Sequence, residues 1–326
     1  MKADSCSNKG ITMTSHPPRK AGLFPFKPAF LSRELSEGQL ALVLNFPVIV
    51  LLGLLIVSPL AYVVRLSFSE ATLSGLRKGI TPFVGLRNYF TVFSDPLFVE
   101  SLLRTLAFGA VSVILMIAIG LFMAIAMNME HVWLSRLTRA LILLPWAVPA
   151  IANGVMWGFI FNPRYGHLNA LLLNLGILKE PISYLGQPFS AMVCVIIAYV
   201  WRVFPFSAIL FHAALQNIPK EFYEAADVDG ASTLQQFWSI TLPMLRPVIA
   251  VLLILRTAFA LTIFDEVFAL TRGGPGTSTW TTAWYSYYTS FSNLQFDLGA
   301  TSALILALVI FVLAFLYIRY LYRPER

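Results

Sequence analysis

The sequence predicts an all-α membrane protein with six transmembrane helices. Apolar residues make up 58% of the 326 residues and charged residues only 12%, whereas about a quarter of the residues in a soluble domain are charged. The mean hydropathy is +0.74, and the apolar residues fall into runs near the length of about 20 residues that a span needs. The net charge of +7 does not indicate a nucleic-acid partner, because the basic residues form no stripe.

The chain divides into a tail and one membrane domain. Residues 1–36 are polar and contain no apolar run, so we expect a disordered cytoplasmic tail. The first apolar run begins near Leu40 and is long enough to stay in the bilayer, which argues against a cleaved signal peptide. The membrane domain covers 37–326, with spans at 40–64, 101–128, 137–161, 190–215, 247–271 and 299–321.

The distribution of Lys and Arg predicts the orientation of these spans. More of them lie on the side of the tail than on the other side, and cytoplasmic loops carry such an excess. Both termini are therefore expected in the cytoplasm. The same orientation makes the loop 216–246 cytoplasmic.

This cytoplasmic loop has the pattern of two short helices around a bend. The predicted features are Pro219 at the start of the first helix, a left-handed Gly230 after it, a capping box of Ser232 and Gln235, and Pro243 at the end of the second helix. Alanines ringed by acids need either a protein partner or the lipid surface to cover them. Helices on lipid surfaces usually carry Lys and Arg, so the net negative charge of the first helix favours a protein.

Several landmarks resemble a known family. Glu224-Ala225-Ala226, Asp229-Gly230-Ala231, Phe237, Ile240, Leu242-Pro243 and Pro247 resemble the EAA loop of permease subunits of carbohydrate ABC importers. The motifs G-L-x-N-Y at 85–89, D-P at 95–96, L-P-W at 144–146 and L-T-x-G-G-P at 270–275 are also similar to that family, and the last marks its MalF-like members. One landmark differs, because Arg104 stands where the family usually has asparagine.

The resemblance covers residues 40–320 and implies the type I importer permease fold with a cytoplasmic coupling helix. It implies that Glu224, Ala225, Ala226, Asp229, Gly230 and Ala231 contact a cytoplasmic ATPase. The implied partners are a second permease that is a different chain, two ATP-binding subunits, an external or periplasmic solute-binding protein and membrane lipid. ATP and Mg²⁺ would bind to the ATPase subunits, with no cofactor on this chain. The implied location is the bacterial inner membrane.

Motifs for catalysis are missing from the sequence. It contains no P-loop pattern, HExxH, GxSxG or CxxC, and its four histidines are scattered. We therefore predict a non-catalytic subunit without a metal site.

Ionisable residues at membrane depth are costly and are candidates for function. Arg256 and Asp265 lie about 13 Å apart along one predicted helix, so Arg202 on the fourth span is the candidate partner for an acid. One interpretation is an ion-pair network that holds the bundle together. The other is a translocation cavity lined by Trp201, Arg202, Phe204, Arg256, Phe264, Asp265 and Glu266. Aromatic faces there would stack on sugar rings, and charges would bind hydroxyls or a sulfonate, phosphate or carboxylate group.

Two other transporter classes stay open. An ABC permease for a non-sugar solute is disfavoured only by the landmarks. An ion-coupled secondary transporter would use the membrane charges but leaves the EAA pattern unexplained.

Overall fold

The computed structural model describes residues 36–128 and 132–321. Apart from Ser36, the predicted tail lies outside these residues. The described residues fold into helices joined by turns and two isolated bridges, with no strand among them, so the all-α prediction is confirmed. The helical segments are Glu37–Leu52, Gly53–Val57, Ser58–Ser67, Leu73–Lys78, Arg87–Ser94, Pro96–Met127, Val132–Leu141, Leu144–Ala147, Ala150–Ile160, His167–Asn174, Tyr184–Gly186, Pro188–Gln216, Glu221–Val228, Thr233–Gln236, Phe237–Thr241, Leu242–Met244, Arg246–Leu261, Val267–Thr271, Thr282–Tyr287, Tyr288–Ser292 and Phe296–Leu321.

The described residues divide into two compact units, one that ends at Ser58 and one that begins at Pro59. In the first unit, Ser36 and Gln39 form a capping box that opens the helix Glu37–Leu52. This helix contains Pro47 and passes into a π-helical turn at Gly53–Val57. All features of the candidate site lie in the second unit.

Four of the described helices are long and apolar enough to cross a membrane: Gly38–Ser67, Pro96–Met127, Pro188–Gln216 and Phe296–Tyr320. Two bent pairs bring the number to six if each pair is one span. They are Ser135–Ala147 with Ala150–Ile160, bent by 101°, and Thr233–Met244 with Arg246–Leu261, bent by 63°.

The third span is broken between Ala147 and Ala150, next to Pro149. Val148 has an extended conformation with ψ 123°, which is the conformation that the residue before a proline prefers. Pro149 then caps the second half, Ala150–Ile160. The span predicted for 137–161 therefore consists of two helices joined at a sharp bend.

The fifth span also differs from the continuous helix predicted for 247–271. Its first helix ends at Leu261, and the chain turns helical again only beyond residue 264. The Thr262 hydroxyl donates to the carbonyl of Ala258 at 3.1 Å, and Thr281 donates to the carbonyl of Ile263 at 3.1 Å. These hydroxyl groups donate to carbonyls that would otherwise be hydrogen-bonded within a continuous membrane helix. The helix can therefore end here without a proline or glycine.

The C-terminal halves of the two broken spans pack against each other. A Cβ atom placed on Gly154 would lie only 2.6 Å from the Cβ of Ala269, so glycine allows the close approach of Ala150–Ile160 to Val267–Thr271. Behind them, the second and fourth spans form the main core, where the rings of Phe108 and Tyr199 are 5.3 Å apart.

The landmarks at 85–89 and 95–96 form a turn and a helix cap. Gly85 has a positive φ of 61°, and the Asp95 carboxylate accepts from the amide of Leu97 at 2.9 Å as the N-cap of the second span. Arg104, which departs from the family landmark, donates to the carbonyl of Thr277 at 2.9 Å. Its side chain thereby ties the second span to the turn that follows the fifth.

That turn depends on Gly273. Its φ is +84°, and a Cβ atom there would lie 2.6 Å from the indole nitrogens of both Trp280 and Trp284. We expect Gly273→Ala to lower the melting temperature of the purified protein markedly, because a left-handed non-glycine residue costs about 1–2 kcal/mol and overpacking about 1–3 kcal/mol more. The melting temperature can be measured by size-exclusion chromatography of heated detergent samples.

A matched control lies three residues further on. Gly276 has a φ of +59° but nothing within 4 Å of its would-be Cβ atom, so Gly276→Ala bears only the backbone cost. Equal losses of thermal stability in the two variants would contradict the assigned contact with the indoles.

Candidate functional site

A cavity of about 520 Å³ lies where the breaks of the third and fifth spans face the fourth span. Irregular backbone at membrane depth is tolerated where it lines a cavity, and broken helices flank the substrate sites of many transporters. The lining residues are Trp146, Tyr199, Arg202, Val203, Phe206, Leu255, Arg256, Phe259, Thr262, Ile263, Phe264, Asp265 and Glu266.

Five of the seven residues predicted for a substrate path line this cavity: Arg202, Arg256, Phe264, Asp265 and Glu266. The other two lie elsewhere. Trp201 contacts Trp157, with ring centroids 5.9 Å apart, and Phe204 packs against a separate hydrophobic cluster that contains Phe211 and Leu245. Successive helical residues point about 100° apart, so neighbours of Arg202 in sequence do not share its face.

Sequence reasoning missed the other lining residues of the fourth span. Tyr199, Val203 and Phe206 line the cavity with Arg202, at the i, i+3, i+4 and i+7 positions of one helical face. This spacing could have identified them. Thr262 and Ile263 line the cavity only because the helix ends before them, and the apolar pattern carries no sign of that break.

Arg202 forms a buried ion pair with Glu266. The Nη2 atom of Arg202 lies 2.7 Å from Oε1 of Glu266, and the Nε atom donates to the same oxygen at 2.7 Å. Glu266 is only 2% exposed. The predicted pairing of Arg202 with one of the two acids is therefore confirmed, while the neighbouring Asp265 is exposed.

Arg256 is buried in the same cavity wall, and none of the ion pairs among the described residues includes it. It is 7% exposed, and its Nη2 atom donates to the carbonyl of Val203 at 3.2 Å. Its guanidinium lies 4.3 Å from the centroid of the Phe206 ring, and its Nε atom has no hydrogen-bond partner among the described residues. A buried cation without an anionic partner is costly, and Arg256 is such a cation in the wall of the cavity.

Tyr199 contributes a second unsatisfied group. The residue is 3% exposed, and its hydroxyl has no partner among the described residues. Leaving a buried hydroxyl unpaired costs about 1–3 kcal/mol. Both groups therefore favour a hydrogen-bonding guest in the cavity.

The loop 216–246, which the sequence predicts to contact an ATPase, presents an exposed helix, Glu221–Val228. This helix begins two residues after Pro219, which was predicted to start it. The side chains of Glu224 and Ala225 are exposed, as are Asp229 and Gly230, whereas Ala226 and Ala231 are half-buried.

The predicted bend is confirmed. Gly230 has a φ of +74°, and Ser232 and Gln235 form both hydrogen bonds of a capping box. The second helix does not stop at Pro243 but continues through it to Met244. Pro243 follows the π-helical turn Phe237–Thr241 and begins a new turn, where its missing N–H group is tolerated.

Side-chain hydrogen bonds tie the two loop helices together. The hydroxyl groups of Tyr223 and Thr241 are 2.9 Å apart, and the Gln236 amide donates to Asp227 at 2.5 Å. Thr241 lies on the helix that meets Arg246–Leu261 at 63°, and that helix carries Arg256. These contacts connect Glu221–Val228 to the helix that forms one wall of the cavity.

Residues 116–325 match the family described as "Binding-protein-dependent transport system inner membrane component". The chain belongs to this family. The permease is 43% identical over 234 residues to the trehalose/maltose transport system permease protein MalF of Thermococcus litoralis, across 72% of this chain and 77% of the relative. It is 39% identical over 284 residues to the sulfoquinovosyl glycerol transport system permease protein SmoG of Agrobacterium fabrum, across 86% and 88%.

A solved structure shares the fold of the permease. It is a bacterial ABC transporter involved in the import of the acidic polysaccharide alginate, with a TM-score of 0.75 and 21% identity. The match covers 88% of this chain and 96% of that chain. The ABC importer permease predicted from the EAA loop and the L-T-x-G-G-P landmark is confirmed, and so is the type I fold.

Proposed function

We propose that this permease moves a carbohydrate into the cytoplasm by alternating access, with the cavity as its substrate path and the coupling helix as its link to ATP hydrolysis. The observation that carries the proposal is the connection between the two sites. The helix that holds Arg256 at the cavity is continuous, through one bend, with the segment bonded to the coupling helix.

The chemistry of the cavity suits a sugar. Phe206, Phe259 and Phe264 offer aromatic faces on which sugar rings can stack, while Asp265 and Tyr199 offer hydrogen bonds to hydroxyl groups. The names of the two relatives described above refer to trehalose and maltose and to sulfoquinovosyl glycerol. These names support a carbohydrate, and the second one supports an anionic carbohydrate in particular.

The proposed assembly contains this chain, a second and different permease, two ATP-binding subunits and an external or periplasmic solute-binding protein. ATP and Mg²⁺ bind to the ATP-binding subunits, and this chain is non-catalytic. Its place is the bacterial inner membrane, with both termini in the cytoplasm. In this orientation the coupling helix, with Glu224, Ala225, Ala226, Asp229, Gly230 and Ala231, faces the ATPase. A pairing of Glu224 with a basic group of the ATPase groove fixes that contact.

Purification of the tagged chain with its native partners tests this proposal. We expect stoichiometric ATP-binding subunits and a second permease to remain bound in mild detergent. In proteoliposomes, the binding protein with a carbohydrate should raise ATP hydrolysis several-fold above the basal rate.

The control omits the solute while keeping the binding protein. A chain that purifies alone and transports without nucleotide would instead support an ion-coupled transporter. Stimulation by amino acids or peptides but by no carbohydrate would support a permease for a non-sugar solute.

A further inference from the structure

We infer that Arg256 and Tyr199 form an anion subsite of the cavity, which binds a single carboxylate, sulfonate or phosphate group carried by the sugar. This inference rests on the proposed function and names the substrate class within it. It also assigns to Arg256 the anion contact that the sequence alone left open among the charged residues of the cavity.

Arg202 is unsuited to this role because its charge is already compensated. Two of its nitrogens lie 2.7 Å from one oxygen of Glu266. The carboxylate of Glu266 is 2% exposed and neutralises the charge of Arg202, so the N–H groups that Arg202 has left bring little net positive charge to a substrate anion. The Arg202–Glu266 pair is therefore a neutral part of the cavity wall.

Arg256 has the opposite character. A guanidinium offers five N–H donors in a planar fork that matches oxyanions, and the only hydrogen bond of Arg256 among the described residues goes to the carbonyl of Val203. The Phe206 ring lies 4.3 Å from the guanidinium carbon and supports the group from one side. The guanidinium is therefore held in position with donors to spare.

Tyr199 completes the subsite from the fourth span. It lies one helical turn before Val203, the residue to which Arg256 is bonded, and its buried hydroxyl is free to donate. Arg256 and Tyr199 both line the cavity. A donor from each of two spans would then converge on one oxyanion.

The negative charge of Asp265 limits the substrate to one anionic group. Asp265 lines the cavity, is exposed and has no ion-pair partner among the described residues. Its carboxylate would accept hydrogen bonds from sugar hydroxyls and repel a second anion. We therefore expect a monoanionic sugar to be preferred over both neutral and dianionic ones.

The test compares matched probes in the full complex reconstituted with its binding protein. The probes are methyl glucoside with methyl glucuronide, and glucosyl glycerol with sulfoquinovosyl glycerol. Since the same binding protein serves every variant, its own preference cancels when ratios of uptake are compared. We expect Arg256→Gln to lower the uptake of the anionic member relative to the neutral member by about tenfold or more, as for the loss of a charged hydrogen bond.

Further variants should change the ratio of anionic to neutral uptake to different extents. Tyr199→Phe should lower this ratio by less than Arg256→Gln does, and Arg256→Lys should keep part of the preference for the anionic probe because the charge remains. Arg164→Gln, which removes an exposed arginine outside the cavity, should leave it unchanged. An unchanged ratio in Arg256→Gln, or an equal fall for both members of a pair, would overturn the subsite.

A second readout is independent of transport. Methyl glucuronide should raise the melting temperature of the wild-type complex without its binding protein, and it should not do so for Arg256→Gln. Equal shifts in the two complexes, or none in either, would count against the subsite. Failure of the proposed function looks different, because no carbohydrate would then stimulate ATP hydrolysis in any variant.

Discussion

Glu224→Lys is expected to reduce ATP-driven uptake by at least about 30-fold while the permease stays folded in the membrane. The Glu224 side chain is exposed on the coupling helix and takes no part in an ion pair among the described residues, so its loss leaves the bundle intact. Its partner under the proposed function is a basic group of the ATPase, and loss of one member of a desolvated pair costs about 2–5 kcal/mol. Uptake into proteoliposomes and co-purification of the ATPase measure the effect.

Glu221→Lys supplies the matched control, because Glu221 is an exposed acid in the first turn of the same helix but lies outside the EAA pattern. We expect it to retain most of the uptake. Equal uptake by Glu224→Lys and the wild type would disprove the coupling role. Equal loss of uptake in Glu224→Lys and Glu221→Lys would instead indicate a general effect of charge on this helix.

The bend after the coupling helix offers a companion test. Gly230→Val should impair coupling, because a β-branched residue is a steric outlier at a φ of +74°. Gly230→Asn should keep coupling, since asparagine adopts the left-handed conformation more easily. Nothing lies within 4 Å of the would-be Cβ atom, so a difference between the two variants would reflect the backbone alone.

The second large effect concerns the buried ion pair. Glu266→Leu should lower the melting temperature of the complex, because it leaves Arg202, whose side chain is 20% exposed, without its anionic partner, and breaking a fully buried pair costs up to about 3–5 kcal/mol. The double variant with Arg202→Met should regain most of the lost stability, since replacing both partners of such a pair by apolar residues is often neutral or stabilising. Heated samples separated by size-exclusion chromatography measure both changes.

The double variant also separates the two interpretations of the membrane charges. If the Arg202–Glu266 pair is structural, the stable double variant should still prefer anionic over neutral probes through Arg256. A double variant that is stable but has lost this preference would assign the anion to Arg202. A double variant that is no more stable than Glu266→Leu alone would show that the unpaired Arg202 does not explain the lost stability.

Local chemistry explains which parts of this permease could be predicted from its sequence. Gly230, Ser232 and Gln235 specify a bend and a cap through their own backbone preferences, and the structure has both. The break before Pro149 follows in the same way from the restriction on Val148. Such features need no knowledge of distant residues.

The break after Leu261 is different, because its carbonyls are satisfied by side chains from other positions. Thr281 lies 18 residues from Ile263, the residue whose carbonyl accepts its hydroxyl, and no short-range pattern links them. The cavity lining depends on this break, so Thr262 and Ile263 could not be predicted from periodicity. The role of Arg256 likewise became distinct from that of Arg202 only when the structure showed which arginine Glu266 contacts.

The interruption at 262–264 has an energetic consequence for a transport cycle. A continuous helix would have to break main-chain hydrogen bonds at each bend, and every unpaired group in the bilayer core costs several kcal/mol. In this span the series of main-chain hydrogen bonds is already interrupted, and threonine hydroxyls donate to the carbonyls of Ala258 and Ile263. Under the proposed function, the half of the span that carries Arg256 would therefore tilt with the coupling helix while the half beyond the break stays packed on Gly154, and this joint would act as a hinge without unpairing further backbone groups on each turnover.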